Sequence, residues 1–133
     1  MVMSMATRKV TITLDAGALI ALDRNDRRVL VLLARAWETG ARVTVPATAL
    51  AQAIRQPERQ ARLARLTRQP TTDVVPLDRV DATSVGRLLG ASATADIVDA
   101  HVVICARRAQ QQVATSDPDD LRRLDPRISL VTV

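Results

Sequence analysis

Between Ala95 and Cys105 the chain carries an apolar run, about three turns long if helical, whose head holds Asp96 and Asp99 and which contains no lysine or arginine. A spacing of three places both carboxylates on one face of the first helical turn. An ionised carboxylate among residues that favour burial must be compensated, and no cation within the run does so. The compensating charge has to come from elsewhere in the fold. Asp96, at the helix start, is also placed to act simply as an N-terminal cap favoured by the helix dipole. Asp99, with apolar residues on both sides, has no such local explanation.

The remainder alternates strand-like and helix-like segments. Arg8 to Leu14 reads as a buried strand ending at Asp15, and Ala16 and Gly17 lead into a short helix. Asn25 or Asp26 caps a second helix to about Glu38, with Val29, Leu30, Leu33 and Trp37 as its apolar stripe and Gly40 as its stop. Arg42 to Val45 is a short strand. The helix after it has Pro46 in its first turn, bears Ala49, Leu50, Ala53 and Ile54, and projects Gln52. Glu58 to Arg68 is a further helical piece on which Arg59, Arg62, Arg65 and Arg68 recur every third residue. That face is the best basic patch in the chain, a solvated surface on the commoner reading and a weak RNA-binding surface on the functional one. Asp73 to Val75 is a strand, Asp78 or Asp81 starts a helix ending near Gly90, and the Ala95 to Gln110 helix follows. Val113 to Ser116 is a strand that delivers Asp117, Pro118 opens a short helix, and Ile128 to Val133 is the last strand.

Such alternation predicts an α/β fold: a three-layer α/β/α arrangement around a central, mainly parallel five-stranded sheet with right-handed crossovers. Residues 1–133 form a single domain, with residues 1–7 expected to be disordered. In open parallel sheets the functional crevice lies beyond the carboxyl ends of the strands, where strand order reverses. Asp15 and Asp117 each end a predicted strand. If those strands are neighbours at the reversal, Asp15, Asp96, Asp99 and Asp117 converge, with Asp119 and Asp120 close by. Like charges that close do not all stay ionised without a counter-ion, and a hard divalent cation with oxygen ligands is the usual answer.

Composition narrows the chemistry further. Cys105 is the only cysteine and His101 the only histidine, so no disulfide framework exists and a zinc site of the usual ligand types is not expected. A single buried cysteine fits a reducing, cytoplasmic setting. No segment approaches the length of a membrane span, so no membrane partner is expected. The formal net charge is +5, and all but one of the 19 basic residues are arginine, which permits an anionic partner without demanding one. Trp37 is the only aromatic residue, so the core must be built from Val, Leu, Ile and Ala, and nucleic acid would be recognised through phosphates and shape rather than base stacking. His101, two residues after Asp99, faces away from it and reads as a packing or surface residue.

Four segments together resemble the PIN domain: Thr13-Leu14-Asp15, Val45 to Gln52, Asp96-Ile97-Val98-Asp99-Ala100, and Thr115-Ser116-Asp117. More narrowly they resemble the VapC-type toxin ribonucleases of toxin–antitoxin pairs, over nearly the whole chain. The resemblance implies a metal-dependent endoribonuclease with Mg²⁺ or Mn²⁺ held by Asp15, Asp99 and Asp117, Asp96 at or beside the ion, Thr115 or Ser116 steadying the last loop, and Asp120 as an accessory. It implies RNA as substrate, a small antitoxin as partner, and a homodimer. One departure stands out. Where the family pattern usually places a glutamate on the helix after the second strand, this chain has Gln52, which brings no charge and is no general base. A catalytically weak or inactive PIN-like module that binds nucleic acid or a protein is therefore the alternative. A phosphoacceptor receiver domain also gathers acids around magnesium, but it calls for a lysine late in the sheet and Lys9 is the only lysine.

Overall fold

The computed structural model describes residues 11–133. Five strands, β1 (Ile12–Leu14), β2 (Val43–Pro46), β3 (Thr72–Val75), β4 (Gln112–Thr115) and β5 (Leu130–Thr132), form one sheet in the order β3-β2-β1-β4-β5. Every neighbouring pair is parallel, so the sheet is wholly rather than mainly parallel. Seven α-helices connect the strands: α1 (Ala16–Asp23), α2 (Arg27–Thr39), α3 (Ala47–Ala53), α4 (Ala61–Thr67), α5 (Arg79–Ser92), α6 (Ile97–Ala109) and α7 (Pro118–Leu124). The chain builds outward from β1 to β3 and then returns to the other side of β1 with β4. That reversal sets β1 beside β4, the condition on which the expected meeting of the strand-end acids depended. Residues 1–7, and the first part of the strand expected from Arg8, lie outside the described residues.

The core is aliphatic. β1 and β2 are buried at every position, as central strands of a parallel sheet require, and α6 lies across β1, β2 and β4 with Ala100, Val102, Val103 and Ala106 inward. The α2 stripe differs from the expected one. Val29, Leu33 and Ala36 are buried, whereas Trp37 remains 38% exposed. Spacings of four and three keep those three residues on one face, and the next position rotates Trp37 off it. Gly40 closes α2 in the left-handed conformation at φ +66, donating to Ala36 and Trp37 carbonyls. Pro46 is the last residue of β2 and the cap of α3, one position earlier than the first-turn site expected for it.

The arginine-rich piece is not one helix. A 3₁₀ turn (Pro57–Arg59) ends at Gln60, and α4 begins only after it, so Arg59, Arg62, Arg65 and Arg68 are exposed without sharing a continuous helical face. Gln60 is the cause, and nothing in the hydrophobic pattern marks it. Its buried side-chain oxygen accepts from the Arg55 and Gln56 N–H groups at 2.9 and 3.1 Å. Its amide donates to the Ala53 carbonyl at 2.9 Å and to Asp23 Oδ2 at 3.3 Å. One amide thereby satisfies the backbone groups freed where α3 stops. Removing it leaves two partly buried N–H donors without that acceptor, each a cost at the lower end of about 1–3 kcal/mol. Gln60→Leu is expected to destabilise the fold by about 2 kcal/mol, measured as a lower midpoint with unchanged slope in urea unfolding; a midpoint equal to wild type would show that water replaces the amide.

Candidate metal centre

The strand ends aim the acids. Asp15 follows β1 directly and is the N-cap of α1: its backbone is extended, and Oδ1 accepts from the Ala18 N–H at 2.7 Å. Its own N–H donates to the Ala114 carbonyl at 3.2 Å, which ties the β1 exit to β4. Asp117 stands two residues beyond β4 at the start of α7, exposed, and its N–H donates to Thr115 Oγ1 at 2.9 Å. Thr115 is fully buried, and its hydroxyl lowers the proton affinity of the Asp15 carboxyl. Thr115 thus bears on both strand-end aspartates. Ser116 packs over the first turn of α1, where a β-carbon at Gly17 would collide with Ser116 Oγ, so glycine there allows the β4 loop to close on Asp15.

Asp96 and Asp99 arrive from α6. Asp96 is the N-cap, with Oδ1 accepting from the Asp99 N–H at 2.9 Å. The bland reading of Asp96 is therefore correct as far as it goes, while the same bond fixes Asp96 beside Asp99. Asp96, Asp99, Asp120 and Arg123 line a cavity of about 150 Å³. Arg123 Nη1 pairs with Asp120 Oδ1 at 3.0 Å, three residues back along α7. Arg123 answers Asp120, not Asp99, whose carboxyl is left without a paired cation among the described residues.

Crowding shows in the proton affinities. The Asp99 carboxyl is pushed up to about 7, first by burial and then by the charges of Asp96, Asp15, Asp120 and Asp117 in that order. Asp15 is also raised, chiefly by burial, with Asp117 adding repulsion against the lowering effect of Thr115 and Ala18. Asp120 is raised by its contact with Asp117. Asp99 thus feels the charges of acids from the β1 exit, its own helix and the β4–α7 segment. Two other expectations fare differently. Gln52 is exposed on α3 and makes no side-chain hydrogen bond among the described residues. The arginine patch lies away from the acids, since Arg62 reaches the Asp23 carbonyl at the far end of α1, about 12 Å along that helix from Asp15.

No protein-family model matches the sequence, and no curated protein sequence matches it. Solved structures do. The chain is similar to VapBC2 from Rickettsia felis, determined with a DNA fragment of its promoter, at TM-score 0.64 and 11% identity over 93% of this chain and 99% of that one. It is similar to FitAB bound to the IR36 DNA fragment (TM-score 0.59, 14% identity, 91% and 94% covered) and to FitAcB from Neisseria gonorrhoeae (TM-score 0.59, 16% identity, 90% and 95% covered). The chain shares the fold of these structures, an α/β fold around a five-stranded parallel sheet of the kind seen in PIN domains. No single helix, among the described residues, is long and apolar enough to cross a membrane.

A group whose proton affinity is higher in the folded state than in the unfolded chain favours folding at low pH and loses that contribution as pH rises through the folded value. For Asp99 the window runs from about pH 4, the unfolded carboxyl range, to about 7, and Asp15 acts in the same direction. In metal-free buffer the wild-type Tm should fall between pH 5 and pH 8. Asp99→Asn should flatten that fall and melt higher than wild type at pH 8. Parallel thermal melts in chelator check this, and identical pH slopes for the two proteins would contradict it.

Proposed function

We propose that this PIN-fold chain is a divalent-metal-dependent endoribonuclease that acts as the toxin of a toxin–antitoxin pair. The observation that carries the reading is that Asp15 and Asp117 follow neighbouring strands at the sheet's switch point, with the Asp99 carboxyl pushed up to about 7 first by burial and then by Asp96, Asp15, Asp120 and Asp117. The donor set fits Mg²⁺ or Mn²⁺: it is all carboxylate oxygen, and Arg123 is the one cation lining the cavity it shares with Asp96, Asp99 and Asp120. A cation so placed lowers the pKa of a bound water and offsets charge on the attacked phosphate.

In this reading Asp15, Asp99 and Asp117 hold the ion. Asp15 is held by the Ala18 N–H, so its carboxylate is oriented before any ligand arrives. Asp96 spends one oxygen on the Asp99 N–H and offers the other to a water. Thr115 and Ser116 keep the β4 exit packed on α1, and Asp120 with Arg123 forms the outer wall. RNA is recognised through its backbone and shape, because the chain has no Phe or Tyr, Trp37 lies on α2, and the His101 ring is fully buried. Arg59, Arg62, Arg65 and Arg68 offer positive charge at a distance from the acids, as a surface along which a longer strand can run. The antitoxin partner is proposed from the likeness to the VapBC2 and FitAB complexes.

RNA cleavage should require Mg²⁺ or Mn²⁺, vanish in EDTA and fall to background in Asp99→Asn and Asp117→Asn, with circular dichroism unchanged. Cleavage that persists in EDTA, or at the wild-type rate in both variants, contradicts the metal mechanism.

Exposed Gln52, in place of an acid, favours a second reading in which the domain binds without efficient cleavage. On that reading Gln52→Glu should lower the Mg²⁺ concentration for half-maximal cleavage by about tenfold, equivalent to about 1.4 kcal/mol. Calorimetry and a cleavage titration on both proteins measure it. An unchanged midpoint would place residue 52 outside the site.

A further inference from the structure

Away from the acidic crevice, α5 and α6 bring together three side chains of another character. Asp81, His101 and Cys105 each offer a donor atom, and the three atoms lie within 4.8 Å of one another, all buried. His101 and Cys105 are four apart on α6 and so share a face, and Asp81 meets them from the first turn of α5. Sequence reasoning set such a site aside because the chain has one histidine and one cysteine. It did not foresee that the fold would add a buried aspartate to the pair.

His101 supplies the independent observation. Its ring is fully buried, with Nδ1 hydrogen-bonded to Thr48 Oγ1 at 2.7 Å, while Nε2 faces the cluster without a hydrogen bond. Nε2 lies 3.4 Å from Asp81 Oδ2, within ion-pair range but not aligned as a hydrogen bond. In a tetrahedral zinc site with bonds of about 2.0 Å to N and O, the N···O edge is about 3.3 Å. The ring is thus anchored at one nitrogen and turns the other toward a carboxylate oxygen at the ligand–ligand spacing. Fixing the far nitrogen of a ligating histidine by a hydrogen bond is the usual outer support of such a ligand.

We propose that Asp81, His101 and Cys105 form a buried zinc site that clamps α5 to α6, with a water in the fourth position. The donor set selects the metal: imidazole with thiolate suits Zn²⁺ and is a poor set for Mg²⁺. Arg108 already pairs with Asp81 through both carboxylate oxygens, reaching it from a half-exposed position. A carboxylate has lone pairs left for a metal beside such a partner, and Arg108 then orients the ligand and covers the entrance. On binding, a Zn–S bond forms, the S–H bond breaks, and the thiol proton leaves to solvent. Burial and the Asp81 charge push the free thiol up to about 12, so metal-free protein at neutral pH holds no thiolate.

The chain's single cysteine makes the test specific. Folded wild-type protein titrated with Co²⁺ should develop a thiolate-to-cobalt charge-transfer band that saturates at one equivalent and is discharged by Zn²⁺. Mg²⁺ in excess should leave it unchanged. Cys105→Ala should lack the band, and His101→Gln and Asp81→Asn should each weaken Co²⁺ binding at least tenfold. Because the acidic crevice contains no sulfur, its occupancy does not contribute to this signal. Absence of the band in folded wild type overturns the site, whether or not the crevice binds metal. A band of unchanged affinity in both His101→Gln and Asp81→Asn overturns the three-ligand assignment.

Discussion

Repulsion among carboxylates at the carboxyl ends of β1 and β4 is the constraint on which the arrangement turns. Asp15 is buried and Asp99 half-buried, and burial alone raises the proton affinity of each before any neighbour is counted. Ordinary selection for stability would remove such charges or pair them with arginine, and this chain has arginines in number. Several are paired elsewhere: Arg42 on Asp73, Arg107 on Asp125, Arg108 on Asp81. Among the described residues only Arg123 lines the crevice, and it pairs with Asp120.

What holds the repelling groups in place is backbone hydrogen bonding. Asp15 caps α1 and Asp96 caps α6, so each is tied down by the N–H groups of the helix it starts. The helix ends gain a cap that in other proteins contributes about 1 kcal/mol, and the crevice gains carboxylates in fixed orientation. Thr115 completes the frame by accepting from the Asp117 N–H from a fully buried position. The same residues thus serve the fold and the site, which is why a helix-cap reading of Asp96 and a functional reading do not compete.

The order of strands and helices was legible because aliphatic runs ended at aspartates, prolines and Gly40, each with a local physical role. The alternation predicted a parallel sheet, but which strands flank its reversal was left open, because pairing between strands far apart in sequence leaves no local mark; the strand order places β1 beside β4. Trp37 was misplaced by one helical position, because the periodicity does not distinguish a stripe at 29, 33 and 36 from one ending at 37. The break at Gln60 was invisible because it depends on four hydrogen bonds from one amide to partners as far away as Asp23. The Asp81, His101 and Cys105 cluster was hidden for a related reason: a pairing between two helices leaves no mark on either helix alone.

The central claim is that the crevice is an unneutralised acidic cluster that a hard divalent cation relieves. NMR titration of the Asp99 carboxyl, in chelator and again in saturating Mg²⁺, tests it most directly. The account predicts titration at about 7 without metal and a shift below the ordinary carboxyl range, about 4, once Mg²⁺ is bound. Titration near 4 in chelator, or a value that Mg²⁺ leaves unmoved, would contradict it.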